Sequence, residues 1–193
     1  MKRIRENAVT MVHRLVRDAV RPGDVVIDAT VGTGRDTQFL SECVGSTGTV
    51  YGFDVQQAAL DATRSLLNGQ TSNAHLILAG HETMIEHVPA HHHGCVRAVT
   101  FNLGYLPRGE RSITTAAPTT RQALGQALRL LAPGGLVTIV CYSHPEGYAE
   151  IQAVRDELAT LSQWEYTCLH TEFFNQQGNP PVVFAVYRCS LTG

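Results

Sequence analysis

Several things are missing from this 193-residue chain, and each absence narrows what it can be. No apolar run reaches the length that crosses a bilayer. The opening MKRIRENAVT has no apolar core of the kind a signal peptide carries. A net charge of −2 excludes the global basic signature of a general nucleic-acid binder. The five cysteines, Cys43, Cys95, Cys141, Cys168 and Cys189, form no CxxC pair. A disulfide framework or a zinc ribbon is therefore not expected, and the thiols read as buried groups in a reducing cytoplasm. Internal repeats, linkers and low-complexity tracts are lacking too. The run His91-His92-His93 offers no chelating spacing, because adjacent side chains diverge, so it reads as a solvated loop and no metal is expected. With 44% hydrophobic and 17% charged residues, the composition fits one globular domain over 1–193.

What is present is organised around Val25–Gly34, VVIDATVGTG. Val25-Val26-Ile27 is β-branched and wholly apolar, as a buried parallel strand should be, and it ends in Asp28. A turn with Gly32 and Gly34 leads into a polar helix start, Arg35-Asp36-Thr37. Strand, glycine turn and helix form the first unit of a doubly wound α/β sheet, with partial positive charge at the helix start. The next strand, Thr49–Phe53, ends in Asp54, twenty residues after Gly34. A carboxylate there can accept both ribose hydroxyls of a nucleoside. Nicotinamide cofactors and S-adenosylmethionine both fit to this point. The dinucleotide fingerprint is G-x-G-x-x-G, whereas this loop reads Asp28-x-Thr30-x-Gly32-x-Gly34. It resembles motif I of class I methyltransferases, with Thr30 in place of the first glycine and Asp28 either orienting the loop or meeting the ligand's ammonium.

The remaining chain supplies the rest of such a sheet. A helix over 5–20 precedes the first strand, with apolar positions Ala8, Val9, Val12, Leu15, Val16 and Ala19, and Arg21-Pro22-Gly23-Asp24 stops it. Helices are expected at 36–44, 56–67, 118–131 and 148–161, with a short helix or loop at 83–90. Strands are expected at 75–78, 95–101, 136–142, 165–170 and 182–188. Five strand–helix units and a closing hairpin make the class I methyltransferase layout, a seven-stranded sheet of order 3-2-1-4-5-7-6 with the seventh strand antiparallel. A nicotinamide domain would be expected to continue into a substrate domain, which disfavours an oxidoreductase.

In doubly wound sheets the ligand lies beyond the carboxyl ends of the strands. The polar groups at those ends are Asp28, Thr30, Gly32, Gly34, Asp36 and Thr37; Asp54 with Gln56; His81 and Glu82 after Gly80; and Asn102, Leu103, Gly104 and Tyr105. His144, past the fifth strand, can join them. The Asn102–Tyr105 stretch resembles the N-P-P-Y motif of amine-directed methyltransferases. Taken together, DATVGTGRDTQFL, FNLGYLPRGERSITT and the S-H-P-E-G stretch resemble the MnmM (YtqB) family, whose members were described as rRNA methylases, over nearly the whole chain. The departures are Thr33, Arg35, Arg108 and Ser143.

That resemblance implies methylation of the amine of 5-aminomethyl-2-thiouridine at the tRNA wobble position, with S-adenosylmethionine as donor and S-adenosylhomocysteine as product. It implies that Asn102 and the backbone at Leu103 hold the amine, while Tyr105 packs on the base. A protonated alkylamine must lose a proton before it can attack, which makes His144 the candidate base and His81 a second one. Residues 1–21 carry six cations against two acids, so Arg3, Arg5 and Arg14 are candidate phosphate contacts. Neither membrane nor DNA is an expected partner, and either a monomer or a homodimer fits. The competing readings are a methyltransferase acting on rRNA or a small metabolite, and a non-catalytic S-adenosylmethionine-binding module.

Overall fold

In the computed structural model the described residues are 6–68, 73–104, 115–142 and 145–190. The chain opens with helix α1 (Ala8–Ala19). Asn7 caps it: its side chain accepts from Thr10 N–H, and Thr10 Oγ1 accepts from Asn7 N–H, both at 2.9 Å. Ala8, Val12 and Val16, four apart, form its buried face. Strand β1 (Val25–Asp28) follows, then α2 (Arg35–Val44), β2 (Thr49–Asp54), α3 (Gln57–Leu67), β3 (Ala74–Leu78), the short α4 (Met84–His87) and β4 (Val96–Leu103). The chain continues through α5 (Ala117–Leu130), β5 (Leu131–Cys141), α6 (Pro145–Ala159), β6 (Tyr166–Thr171) and β7 (Val182–Arg188).

Among the described residues the strands form a seven-stranded sheet of order β3-β2-β1-β4-β5-β7-β6. Pairing is parallel from β3 to β5, and β7 runs antiparallel to both neighbours. This is the expected class I methyltransferase topology. Alternation along each central strand sends successive side chains to opposite layers. Ile27, Val99, Phe101, Ile139 and Phe184 pack on one face with Ala123, Leu124 and Val154 of α5 and α6. Val26, Val50, Ala98, Val140 and Val183 pack on the other with α1 and α2. Each fully buried Val, Leu or Ile contributes about 1.5–3 kcal/mol. Both faces are covered, which is why β1 needs an unbroken apolar run.

Two expectations need correcting. Strand β5 starts at Leu131 rather than 136: Leu131 pairs with Val96, and a register shift next to it accommodates Ala132–Gly135. Only Cys141 is buried, Cys43 is half-buried, and Cys95, Cys168 and Cys189 are exposed. Cys168 lies on the edge strand β6, where Leu169 beside it is exposed as well, and Cys95 and Cys189 lie just outside β4 and β7, so local apolar context did not translate into burial.

Candidate functional site

The carboxyl ends of β1 to β5 surround a cavity of about 790 Å³. It lies where β1 and β4 diverge to opposite crossovers, the topological switch point at which such sheets bind ligands. Asp28 ends β1 below this cavity but does not reach it. Its side chain is fully buried. One oxygen accepts from Thr37 Oγ1 at 2.6 Å and the other from Thr30 N–H at 3.1 Å. Burial first, and the charge of Asp36 second, push its carboxyl up to about 7. Asp28 thus bonds to the loop at Thr30 and does not line the cavity. Thr37, also fully buried, acts with it from beneath the turn.

The glycines do different jobs. Gly32, at φ +53°, donates its N–H to Asp54 Oδ2 at 2.9 Å. Gly34, at φ +78°, starts α2 in the left-handed region, and a Cβ there would lie 2.5–2.9 Å from the Thr63 side chain on α3. Gly34 is thus required by helix packing and by turn geometry. Asp54 ends β2 on the cavity wall, and its other oxygen accepts from Gln56 N–H at 2.9 Å. Beside it on the wall are Phe53, Val55 and Gln56. After β3, Glu82 folds its carboxylate back against Gly80, so closely that a Cβ at Gly80 would meet it at 2.3–2.6 Å. His81 is 7% exposed; its Nδ1 lies 3.3 Å from the Ala29 carbonyl, and its ring meets Phe101 edge-on at 5.7 Å. Burial lowers its pKa, so it is neutral at pH 7.

Asn102 lies near the end of β4, also on the wall. Its backbone N–H is accepted by Thr30 Oγ1 at 2.7 Å, a contact that a glycine at position 30 would lack. Its side-chain Nδ2 donates to Asp36 Oδ2 at 2.5 Å, and the other oxygen of Asp36 accepts from His13 Nε2–H at 2.7 Å. The Leu103 side chain is buried in the core, so only its backbone can serve the site. Gly104 lines the cavity, and its carbonyl accepts from Thr115 N–H at 3.2 Å. Tyr105, His144, Arg108 and Ser143 lie outside the described residues, as do Arg3 and Arg5.

Sequence reasoning missed several wall residues. Tyr142, 43% exposed at the end of β5, presents an aromatic ring to the cavity. Arg35 is the only arginine or lysine among the described lining residues, and Val9 brings α1 to the rim. Two of the three adjacent histidines have hydrogen-bond partners: His92 bonds Tyr51 Oη at 3.0 Å and His93 the Val88 carbonyl at 2.8 Å. No metal-binding cluster occurs among the described residues. Nor is any described helix long and apolar enough to cross a membrane. On α1, Arg14 is 60% exposed and pairs with Glu6 at 3.2 Å.

The donor set suits a nucleoside with a charged tail. Asp54 offers a carboxylate to a vicinal diol, the exposed Val55 flanks it with apolar surface, and Arg35 provides a cation for a carboxylate. The volume lies within the range of small-molecule sites.

Comparison with known proteins agrees with this geometry. The model of a family described as "Putative rRNA methylase" matches residues 50–187. A chloroplastic tRNA (mnm5s2U34)-methyltransferase from Arabidopsis thaliana is 36% identical, over 95% of this chain and 70% of that protein. The crystal structure of an rRNA methylase, so described, from Clostridium thermocellum superposes with a TM-score of 0.90 at 36% identity, covering 96% of this chain and all of that one. A Streptococcus mutans methyltransferase solved with S-adenosylhomocysteine gives 0.86 at 33%, covering 96% and 99% of the two chains.

Proposed function

Because the chain belongs to the rRNA methylase family and is an S-adenosylmethionine-dependent methyltransferase, we propose that its acceptor is the amine of 5-aminomethyl-2-thiouridine at the tRNA wobble position. One observation carries this reading. Asn102 stands on the cavity wall with its amide nitrogen on Asp36, which leaves its carbonyl oxygen as the polar atom available to an amine N–H. An amine acceptor needs such an acceptor atom beside its nitrogen. The name of the Arabidopsis relative supports the choice of nucleoside.

When bound, S-adenosylmethionine supplies an electrophilic methyl group; Asp54, Gln56 and the turn at Gly32 would hold its nucleoside, and Arg35 its carboxylate. The protein's own part is positional. Asn102 and the backbone at Leu103 orient the acceptor nitrogen, and Tyr105 packs on the base. His144 takes the proton that the amine must release. Neutral His81 packs beneath Ala29 and keeps the loop in place. Arg3, Arg5 and Arg14 would meet RNA phosphates.

The test is single-turnover methylation of tRNA bearing 5-aminomethyl-2-thiouridine, with the same tRNA lacking the modification and ribosomal RNA as competitors. Mass spectrometry of nucleosides from a deletion strain complements it. Methyl transfer to the aminomethyl nucleoside alone is the expected result. Equal transfer to ribosomal RNA would replace this acceptor.

A further inference from the structure

We propose that His13 is a positioning residue for methyl transfer: through Asp36 it fixes which atom of the Asn102 amide faces the acceptor. The inference rests on the reading above, in which Asn102 receives the amine.

His13 lies on α1, far from Asn102 in sequence, and nothing in its local pattern marks it. Its ring stacks on Phe39 at 3.7 Å and 9° between planes, and the Arg17 guanidinium lies 4.8 Å from the same Phe39 ring. Stacking fixes the plane of the imidazole, so its edge has one direction in which to donate. That edge meets Asp36 Oδ1 at 2.7 Å. The second oxygen of Asp36 takes Asn102 Nδ2 at 2.5 Å. A clasp between α1 and α2 would need only the first of these bonds. The second reaches into the cavity wall, where both Asp36 and Asn102 stand.

The orientation of Asn102 follows from chemistry. A carboxylate has acceptors and no donor, so the amide nitrogen must face Asp36. Flipping the amide would set its oxygen against a carboxylate oxygen. The Asn102 backbone is pinned independently by Thr30 Oγ1 at 2.7 Å. With backbone and nitrogen both fixed, the carbonyl oxygen is the remaining polar atom of the side chain. If the His13 bond is lost, Asp36 can turn away and the amide can rotate. Substrate still binds, but the nitrogen is held less often in line, and misplacement of this kind acts on the rate.

The experiment uses the full chain with S-adenosylmethionine and aminomethylthiouridine-bearing tRNA. His13→Phe retains a ring on Phe39 and removes the donor. We expect the single-turnover rate at saturation to fall about 10–30-fold, with the KM for tRNA and the Kd for S-adenosylhomocysteine within about twofold of the parent. His13→Gln, which restores a donor, should recover to within about threefold of the parent. In an Asn102→Ala background, His13→Phe should cost less than about twofold more, because the group it orients is gone. A parental rate in His13→Phe with a slow Asn102→Ala enzyme would overturn the inference and leave the acceptor reading standing. A parental rate in Asn102→Ala would remove the reading and the inference together. If His13→Phe melts early, His13→Leu, which also lacks a donor, takes its place in the same cycle with Asn102→Ala, and fully additive losses there would overturn the proposal.

Discussion

Replacing Asp28 by asparagine asks whether the acid beneath the glycine turn is held against its own ionisation. Asp28 is fully buried. Bonds from Thr37 and Thr30 offset only part of that burial, and the negative charge of Asp36 adds to it, so the carboxyl rises from the ordinary 3.8 to about 7. Between about pH 4 and 7 the folded protein thus keeps a proton that the unfolded chain has released. Stability falls as pH rises through that window and levels off above it. The whole rise corresponds to about 4 kcal/mol against the ionised form. Asparagine cannot ionise and keeps one oxygen, which Thr30 N–H can use, while its NH2 group takes the other oxygen's place and must face the Thr37 hydroxyl, which can turn to accept; the remaining N–H, without an acceptor, costs about 1–3 kcal/mol. Asp28→Asn is therefore expected to exceed the parent by about 1–3 kcal/mol at pH 8.5, or about 2–10 °C in Tm for a chain this long. At pH 5 it should equal the parent or fall below it. Thermal melts of both proteins from pH 5 to 9 at constant ionic strength give the difference curve, which should climb with pH and flatten above about 8. A difference that is constant or declines with pH would refute the reasoning and mean that the turn's donors hold Asp28 ionised.

Three further outcomes follow from the site. Gly34→Ala combines a left-handed φ of +78° with a Cβ 2.5–2.9 Å from Thr63, and it should lose about 2–4 kcal/mol in denaturant unfolding, partly recovered by adding Thr63→Ala. Asp54→Ala should weaken S-adenosylhomocysteine binding in calorimetry by at least about tenfold, since a charge-assisted hydrogen bond contributes about 1.5–3 kcal/mol; unchanged affinity would move the ribose elsewhere. Joint replacement of Arg3, Arg5 and Arg14 by alanine should flatten the slope of log tRNA affinity against log salt by about 0.7–0.9 for each phosphate no longer neutralised, and an unchanged slope would show that this segment is not the RNA surface.

The sheet was readable because hydrophobic periodicity and glycine turns are local signals: VVID, TVYGFD and VVFAVYR each declare a strand, and their order is constrained by right-handed crossovers. Site residues were less legible where a role depends on what lies above or below a residue. Asp28 and Thr37 belong to the same polar cluster as Asp36, yet the first two are sealed under the turn while Asp36 reaches the cavity. Gly34 looks like a ligand-facing glycine, and the sequence does not show that its missing Cβ makes room for Thr63 on another helix. Nothing in the sequence marks His13, because its partners, Phe39 and Asp36, come from a different element. The PGG after α5 suggests a turn, but strand pairing resumes on both sides of it.

The place of β7 in the sheet has a consequence for synthesis. Strand β7 is made after β6 yet is inserted between β5 and β6, so the flank of β5 from Leu136 to Cys141 lacks its partner until Val182–Arg188 arrives. That flank is wholly apolar apart from Thr138 and is buried in the finished sheet. At about 5–20 residues per second, the 47 residues from Cys141 to Arg188 take about 2–9 seconds to make. Throughout that interval a nascent chain carries a bare, sticky strand edge beside an otherwise completed parallel sheet. Chains that stop short of Val182 would keep it permanently, which makes truncation products of this protein natural clients for chaperones and seeds for aggregation.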